Sequence, residues 1–152
     1  MDKHLDDEYM DLALAEARKA GAAGEVPVGA IIVADGAVIG RGFNQPISLH
    51  DPTAHAEILA MREAARSAGN YRLAGASLYC TIEPCAMCAG AMIHARIARL
   101  VFGTPDPKAG AAGSIYNIVT DPRLNHRIEV VFGIRDTECA SLLHEFFAAR
   151  RM

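Results

Sequence analysis

The chain has 152 residues, of which 51% are hydrophobic and 22% charged, enough apolar content for one folded domain and too much for disorder. Its 15 lysines and arginines against 18 aspartates and glutamates give a net charge of −3, which excludes a polycation that coats nucleic acid by charge alone. The charge is uneven, net −6 over residues 1–60 and net +3 over residues 61–152, so a basic face toward an anionic partner stays open.

Apolar residues recur at Leu5, Tyr9, Leu12, Ala13, Ala17 and Ala20, which predicts an amphipathic helix with its acidic end at the positive pole of the dipole. Gly21 and Gly24 are expected to stop it. Val26 to Val33 is β-prone, with Pro27 tolerated at the opening; Asp35-Gly36 reads as a hairpin turn and Ala37 to Phe43 as the returning strand. Asn44 to Pro52 is polar, holds two prolines and reads as a loop. Thr53 is placed to cap a helix from about Ala54 to Ala68 that ends at Gly69. Ala76 to Thr81 predicts a strand, and Pro84 fits the first turn of a helix from Cys85 to Ala95.

Further strands are expected at Arg99 to Phe102 and Arg127 to Phe132. The 103–125 interval between them is too long for mere connection and has room for a short helix around Ile115 to Val119. Glu138 to Arg151 predicts a closing helix with Leu142, Leu143, Phe146 and Phe147 for packing, and Arg150 and Arg151 as a solvated end. The order α-β-β-α-β-α-β-β-α implies a mixed sheet covered on both faces, in a single domain over residues 1–152. The acidic start lacks the basic segment and apolar run of a secretory leader, and no stretch approaches the roughly 18 apolar residues of a membrane helix. A cytoplasmic protein with no membrane partner is expected, its cysteines Cys80, Cys85, Cys88 and Cys139 reduced.

Two short segments carry chemistry: Thr53-Ala54-His55-Ala56-Glu57 and Glu83-Pro84-Cys85-Ala86-Met87-Cys88, each at the start of a predicted helix. Cys85 and Cys88 lie one turn apart on one helical face, so both sulfurs can reach one tetrahedral ion, and a helix N-terminus favours their thiolates. His55 offers a third ligand, and three protein ligands leave the open position of catalytic zinc. Glu57 is then free to handle protons beside that position. Two other readings stay open: a redox-active Cys-x-x-Cys, and a closed structural site with Cys80 or Cys139 as fourth ligand.

His55-Ala56-Glu57 followed by Pro84-Cys85-Ala86-Met87-Cys88 resembles the signature of the cytidine deaminase-like zinc enzymes, whose general chemistry is well described. The segments Glu25 to Ala30, His50 to Glu57, Asn70 to Leu73, Ala91 to Arg96, Gly110 to Ser114 and Leu124 to Arg127, with Asn44, are similar to those of the bacterial tRNA adenosine deaminases within that superfamily. The resemblance spans about residues 6 to 150. It implies a three-layer α/β/α sandwich around a five-stranded mixed sheet whose last two strands are parallel.

The activity implied is hydrolytic conversion of adenosine to inosine at the anticodon wobble position, with Zn2+ held by His55, Cys85 and Cys88 and with Glu57 as proton shuttle of a zinc-activated hydroxide. By the same resemblance, Asn44 hydrogen-bonds the nucleoside, Ala56 contributes backbone contacts, and Val28 and Phe147 line the base pocket. Asp106 contacts the neighbouring sugar, and Lys108 and His126 contact phosphates. The implied partners are the tRNA anticodon arm and a second copy of the chain, with no membrane and no organic cofactor. Thr104 and Pro105 stand where the family usually has alanine and arginine, so the loop around Asp106 is expected to be stiffer and to lack one charge. A sibling deaminase of a free base or nucleotide, and a non-catalytic zinc-stabilised RNA-binding or interaction module, stay open as alternatives.

Overall fold

A computed structural model describes residues 3–150. Five strands form one sheet in the order β2-β1-β3-β4-β5, with β1 at Gly29–Ala34, β2 at Ala37–Phe43, β3 at Ser77–Ile82, β4 at Arg99–Thr104 and β5 at Glu129–Phe132. β1 runs antiparallel to β2 and β3, whereas β3, β4 and β5 are mutually parallel. Helices α1 (Lys3–Ala22), α2 (Pro46–Leu49), α3 (Ala56–Ala68), α4 (Ala86–Ala95) and α5 (Asp136–Arg150) complete the chain.

The alternation of side chains along each strand divides the core in two. Ala30, Ile32, Leu78, Cys80, Leu100 and Phe102 face α3 and α4, and Ile31, Val33, Tyr79 and Val101 face α1 and the start of α5. That is the three-layer mixed α/β sandwich the sequence led us to expect. β2 lies close against α3 because its glycines permit it: a methyl on Gly40 or Gly42 would overlap the α3 backbone at Ala60 or Ala56. The contact brings the N-terminus of α3 beside the end of β2.

Several expected boundaries move. α1 continues through Gly21 to Ala22 and ends before Gly24, which has φ +80°. Val26 to Val28 stays outside β1, since Pro27 has no ladder donor and the Val28 N–H turns back to the Val26 carbonyl at 2.8 Å. The 44–52 loop contains the short α2, with Pro46 in its first turn and His50 in the left-handed conformation at its end. Thr53 does not cap α3; its N–H and hydroxyl both bond to Asp51, and His55 is the N-cap residue. Likewise Cys85 is the N-cap of α4 and Pro84 precedes it.

No helix forms at Ile115 to Val119; the segment turns through a bridge between Ala112 and Asn117. α5 buries fully only Cys139, with Leu142, Leu143 and Phe146 half-covered and Phe147 exposed. Arg150 is not merely solvated, because its guanidinium stacks on Phe146 with Cζ 3.5 Å from the ring centre. Arg151 lies outside the described residues. Among the described residues no helix is long and apolar enough to cross a membrane.

α1 is fastened to the sheet by a buried polar cluster. Asp6 accepts hydrogen bonds from both terminal nitrogens of Arg99, at 2.8 and 2.7 Å, and from the Tyr79 hydroxyl at 2.7 Å. The Arg99 hydrogen bonds, helped by Tyr79 and opposed by burial, hold the Asp6 carboxyl below its usual value of 3.8. A carboxylate whose pKa is depressed by folding adds stability above its unfolded pKa and loses it as pH falls through the folded one. Asp6→Asn should therefore destabilise the chain by about 3 kcal/mol at pH 7, because the buried Arg99 guanidinium then keeps only the exposed Glu129 carboxylate, 3.3 Å from its Nε, as an ionic partner. In denaturant melts the gap from wild type should shrink as pH drops below 3.8. Parallel stability profiles down to the lowest pH at which the chain folds would contradict this assignment.

Candidate active site

The topology gathers four chain segments at one edge of the sheet. The C-terminal ends of parallel β3 and β4 lead into Glu83-Pro84-Cys85 and into the loop at Asp106. The antiparallel pairing of β1 with β2 and β3 places Val28, just before β1, and Asn44, just after β2, at the same edge. A cavity of about 470 Å³ opens there, lined by Val28, Asn44, His55, Glu57, Cys85, Asp106, Lys108 and Phe147 among others. Crevices outside the carboxyl ends of strands are where α/β sheets usually bind ligands.

At its floor the N-termini of α3 and α4 meet. His55 Nδ1 lies 3.6 Å from Cys85 Sγ and 3.5 Å from Cys88 Sγ. Two zinc bonds of about 2.0 and 2.3 Å at the tetrahedral angle set their outer atoms about 3.5 Å apart, so these donors fit zinc. The three residues form a group of ligand atoms all within 4.8 Å of one another, and neither Cys80 nor Cys139 belongs to it. Cys80 and Cys139 are packed in the two core clusters instead, as apolar cysteines. The set is therefore an open three-ligand one, which disfavours the closed structural site.

The electrostatics of this floor favour a cation. A hydrogen bond from Cys88, aided by His55 and opposed by burial, draws the Cys85 thiol down to about 3. Cys88, which supplies that hydrogen bond, is pushed well up by it and by burial. Glu57 is 3% exposed, and burial pushes its carboxyl up to about 7.

Asn44 has a structural duty that the sequence did not reveal. Its Oδ1 accepts the Ala56 N–H at 2.8 Å, satisfying a first-turn donor of α3 from across the fold, the role expected of Thr53. The side-chain amide nitrogen remains for the cavity that Asn44 lines. Ala56, its N–H so engaged and its side chain buried, is absent from the cavity wall. His126 is also not brought there: its Nε2 lies 2.7 Å from the carbonyl of Ile97, which precedes β4 at the end remote from the cavity.

Asp106 and Lys108 do reach the cavity, within a tight turn in which Asp106 Oδ1 accepts the Lys108 and Ala109 N–H groups at 3.0 and 3.2 Å. The flanking Pro105 and Pro107 suit such a turn. Sequence reasoning missed Pro46, Ile82, Glu83 and Leu143 as wall residues, and missed the buried Glu25 behind the wall. Glu25 accepts the Ile47 and Ser48 N–H groups and the Ser48 hydroxyl, and these bonds, against burial, hold its carboxyl below the usual range. It thereby fixes α2 and with it Pro46. The one available signal was an acidic residue beside apolar segments that needs a partner once buried.

A family model for the cytidine and deoxycytidylate deaminase zinc-binding region matches residues 3–104. The tRNA-specific adenosine deaminase of Haemophilus influenzae is 50% identical over 148 residues, covering 97% of this chain and 86% of that protein. The chain belongs to the tRNA-specific adenosine deaminase family. The family's Bacillus subtilis member is 44% identical over 146 residues, covering 96% of this chain and 91% of that protein. A solved structure from work on A-to-I editing by tRNA:A34 deaminases at the wobble position of transfer RNA superposes with a TM-score of 0.87 at 48% identity, covering 90% of this chain and 99% of the other. The guanine deaminase of Nitrosomonas europaea has the same fold at a TM-score of 0.81 but only 26% identity, covering 93% of this chain and 84% of its own. Within this family the His55, Cys85 and Cys88 group is read as a site for one zinc ion.

Proposed function

We propose that this chain, acting as a single deaminase domain over residues 1–152, converts adenosine to inosine at the wobble position of tRNA anticodons with release of ammonia. The observation that carries the reading is the placement of the buried Glu57 beside the His55, Cys85 and Cys88 donors in one cavity. Zinc held by those three residues would supply the Lewis acidity that brings a water's pKa to about 7. Glu57 accepts a proton from the attacking water and passes it to purine N1; it then takes the proton left on the new C6 hydroxyl and delivers it to the amino group, so that ammonia departs as the C6 carbonyl forms. The Asn44 amide nitrogen orients the base, Val28 and Phe147 flank it, and Asp106 and Lys108 meet the adjoining backbone. Water adds and ammonia leaves, so the reaction balances without another cofactor.

Asn44 allows its two duties to be separated. Asn44→Asp keeps the acceptor on the Ala56 N–H and removes the donor, so stability should hold while kcat/KM for an anticodon stem-loop falls about tenfold or more. Asn44→Ala should lose about 1 kcal/mol of stability as well, the cost of an absent helix cap. Equal activity of Asn44→Asp and wild type would remove Asn44 from substrate binding.

The choice between sibling chemistries is tested by ammonia release from a stem-loop bearing the wobble adenosine, from free guanine and from free cytosine. Release from the stem-loop alone supports the assignment, and release from a free base reverses it. We infer in addition a homodimer in the cytoplasm, where such tRNA substrates reside. Light scattering at micromolar concentration should give twice the chain mass.

A further inference from the structure

Glu83 is 2% exposed, yet it sits between the metal-ligand segment and the loop that closes the cavity. Its Oε1 accepts the Asp106 N–H at 3.0 Å and the Ser114 hydroxyl at 2.5 Å. Its Oε2 accepts the Ala112 and Ser114 N–H groups at 2.9 and 3.1 Å. Gly110 lets the loop close, because a methyl there would overlap the Glu83 carboxyl. The next residue in the chain, Pro84, binds the loop too, its carbonyl accepting the Ala111 N–H at 2.8 Å.

One carboxylate thus gathers donors from three points of a segment that forms no helix or strand. Without it the 105–114 loop would keep few long-range polar contacts. The loop offers Asp106, Lys108 and Ala109 to the cavity; the Asp106 amide is held directly by Glu83, and Lys108 follows two residues on with its N–H bonded to Asp106 Oδ1. Glu83 is aligned by β3, whose next element carries Cys85, so the loop is registered directly against the metal ligands.

Building on the deaminase reading above, we propose that Glu83 is a positioning residue for substrate: it holds the 105–114 loop so that Lys108 and its neighbours meet the nucleotide chain around the target base. Its action is on binding, through the loop, and not on the proton transfers of Glu57. Glu83→Gln conserves size but replaces an acceptor oxygen with a donor, facing N–H groups that it cannot satisfy.

With zinc-loaded protein and an anticodon stem-loop, Glu83→Gln is expected to raise KM about tenfold or more and to leave kcat within about threefold. Combining it with Lys108→Ala should raise KM no further than the larger single effect, because both act through one loop. Amide exchange at Asp106, Ala112 and Ser114 should quicken about tenfold, with one zinc per chain retained. An unchanged KM, a fall in kcat at constant KM, or unchanged exchange at those amides would overturn the proposal. If Glu83→Gln does not fold, Ser114→Ala takes its place, with an expected rise in KM of about threefold, and an unchanged KM overturns the proposal. A wild-type chain that forms no inosine would instead overturn the deaminase reading, and the exchange measurement would still decide whether Glu83 orders the loop.

Discussion

Glu57→Gln is expected to lower kcat for inosine formation by about a thousandfold or more while the chain keeps one zinc ion and its fold. The magnitude follows from the work asked of one carboxylate. It must take a proton from water, deliver it to the ring and then assist the leaving amine, and no other cavity residue near the donor set can do so. Cys85, Cys88 and His55 are committed to the metal, Asn44 has no proton to exchange, and Glu83 is consumed by four hydrogen bonds to its loop. Glutamine keeps the shape and the burial, so zinc content by elemental analysis and the melting temperature should match wild type. Activity within tenfold of wild type would show that proton transfer lies elsewhere.

Cys88→Ala has the second large effect, on metal and stability together. The three donors tie the N-terminus of α3 to that of α4, and both helices cover one face of the sheet. A site saturated about a thousandfold above its dissociation constant contributes about 4 kcal/mol to folding. For a chain of this size that corresponds to a fall of about 10 °C in Tm. Cys88→Ala should bind no zinc, lose activity and melt at the temperature of wild type treated with a chelator. A chelator should then leave the variant's own Tm unchanged. If chelation lowers the melting point of both equally, a different metal site is responsible for the stabilisation.

The parts of this molecule governed by local rules were legible before the fold was known. β-prone apolar runs gave the strands, Asp35-Gly36 gave the hairpin through two left-handed residues, and Gly69 gave the end of α3. The ligand segments were legible because metal chemistry restricts residue type and spacing so tightly. What the sequence hid was long-range and polar. Asn44 caps α3 across 12 residues, and Glu83 gathers donors as far as 31 residues away, in contacts that no periodicity announces. His126 was expected beside Lys108 as a phosphate contact, yet its attachment near the start of β4 holds it at the end of the sheet remote from the cavity. Even the reading of Thr53 as a cap failed for a local reason, since Asp51 competes for both its N–H and its hydroxyl.

The most direct test is the position of inosine in a defined RNA. Purified zinc-loaded protein is incubated with an anticodon stem-loop carrying a wobble adenosine, and with the same stem-loop in which that adenosine is moved by one position. The account predicts inosine at the wobble site alone. Inosine at the shifted site, or none in either RNA from folded, zinc-loaded protein, would contradict it.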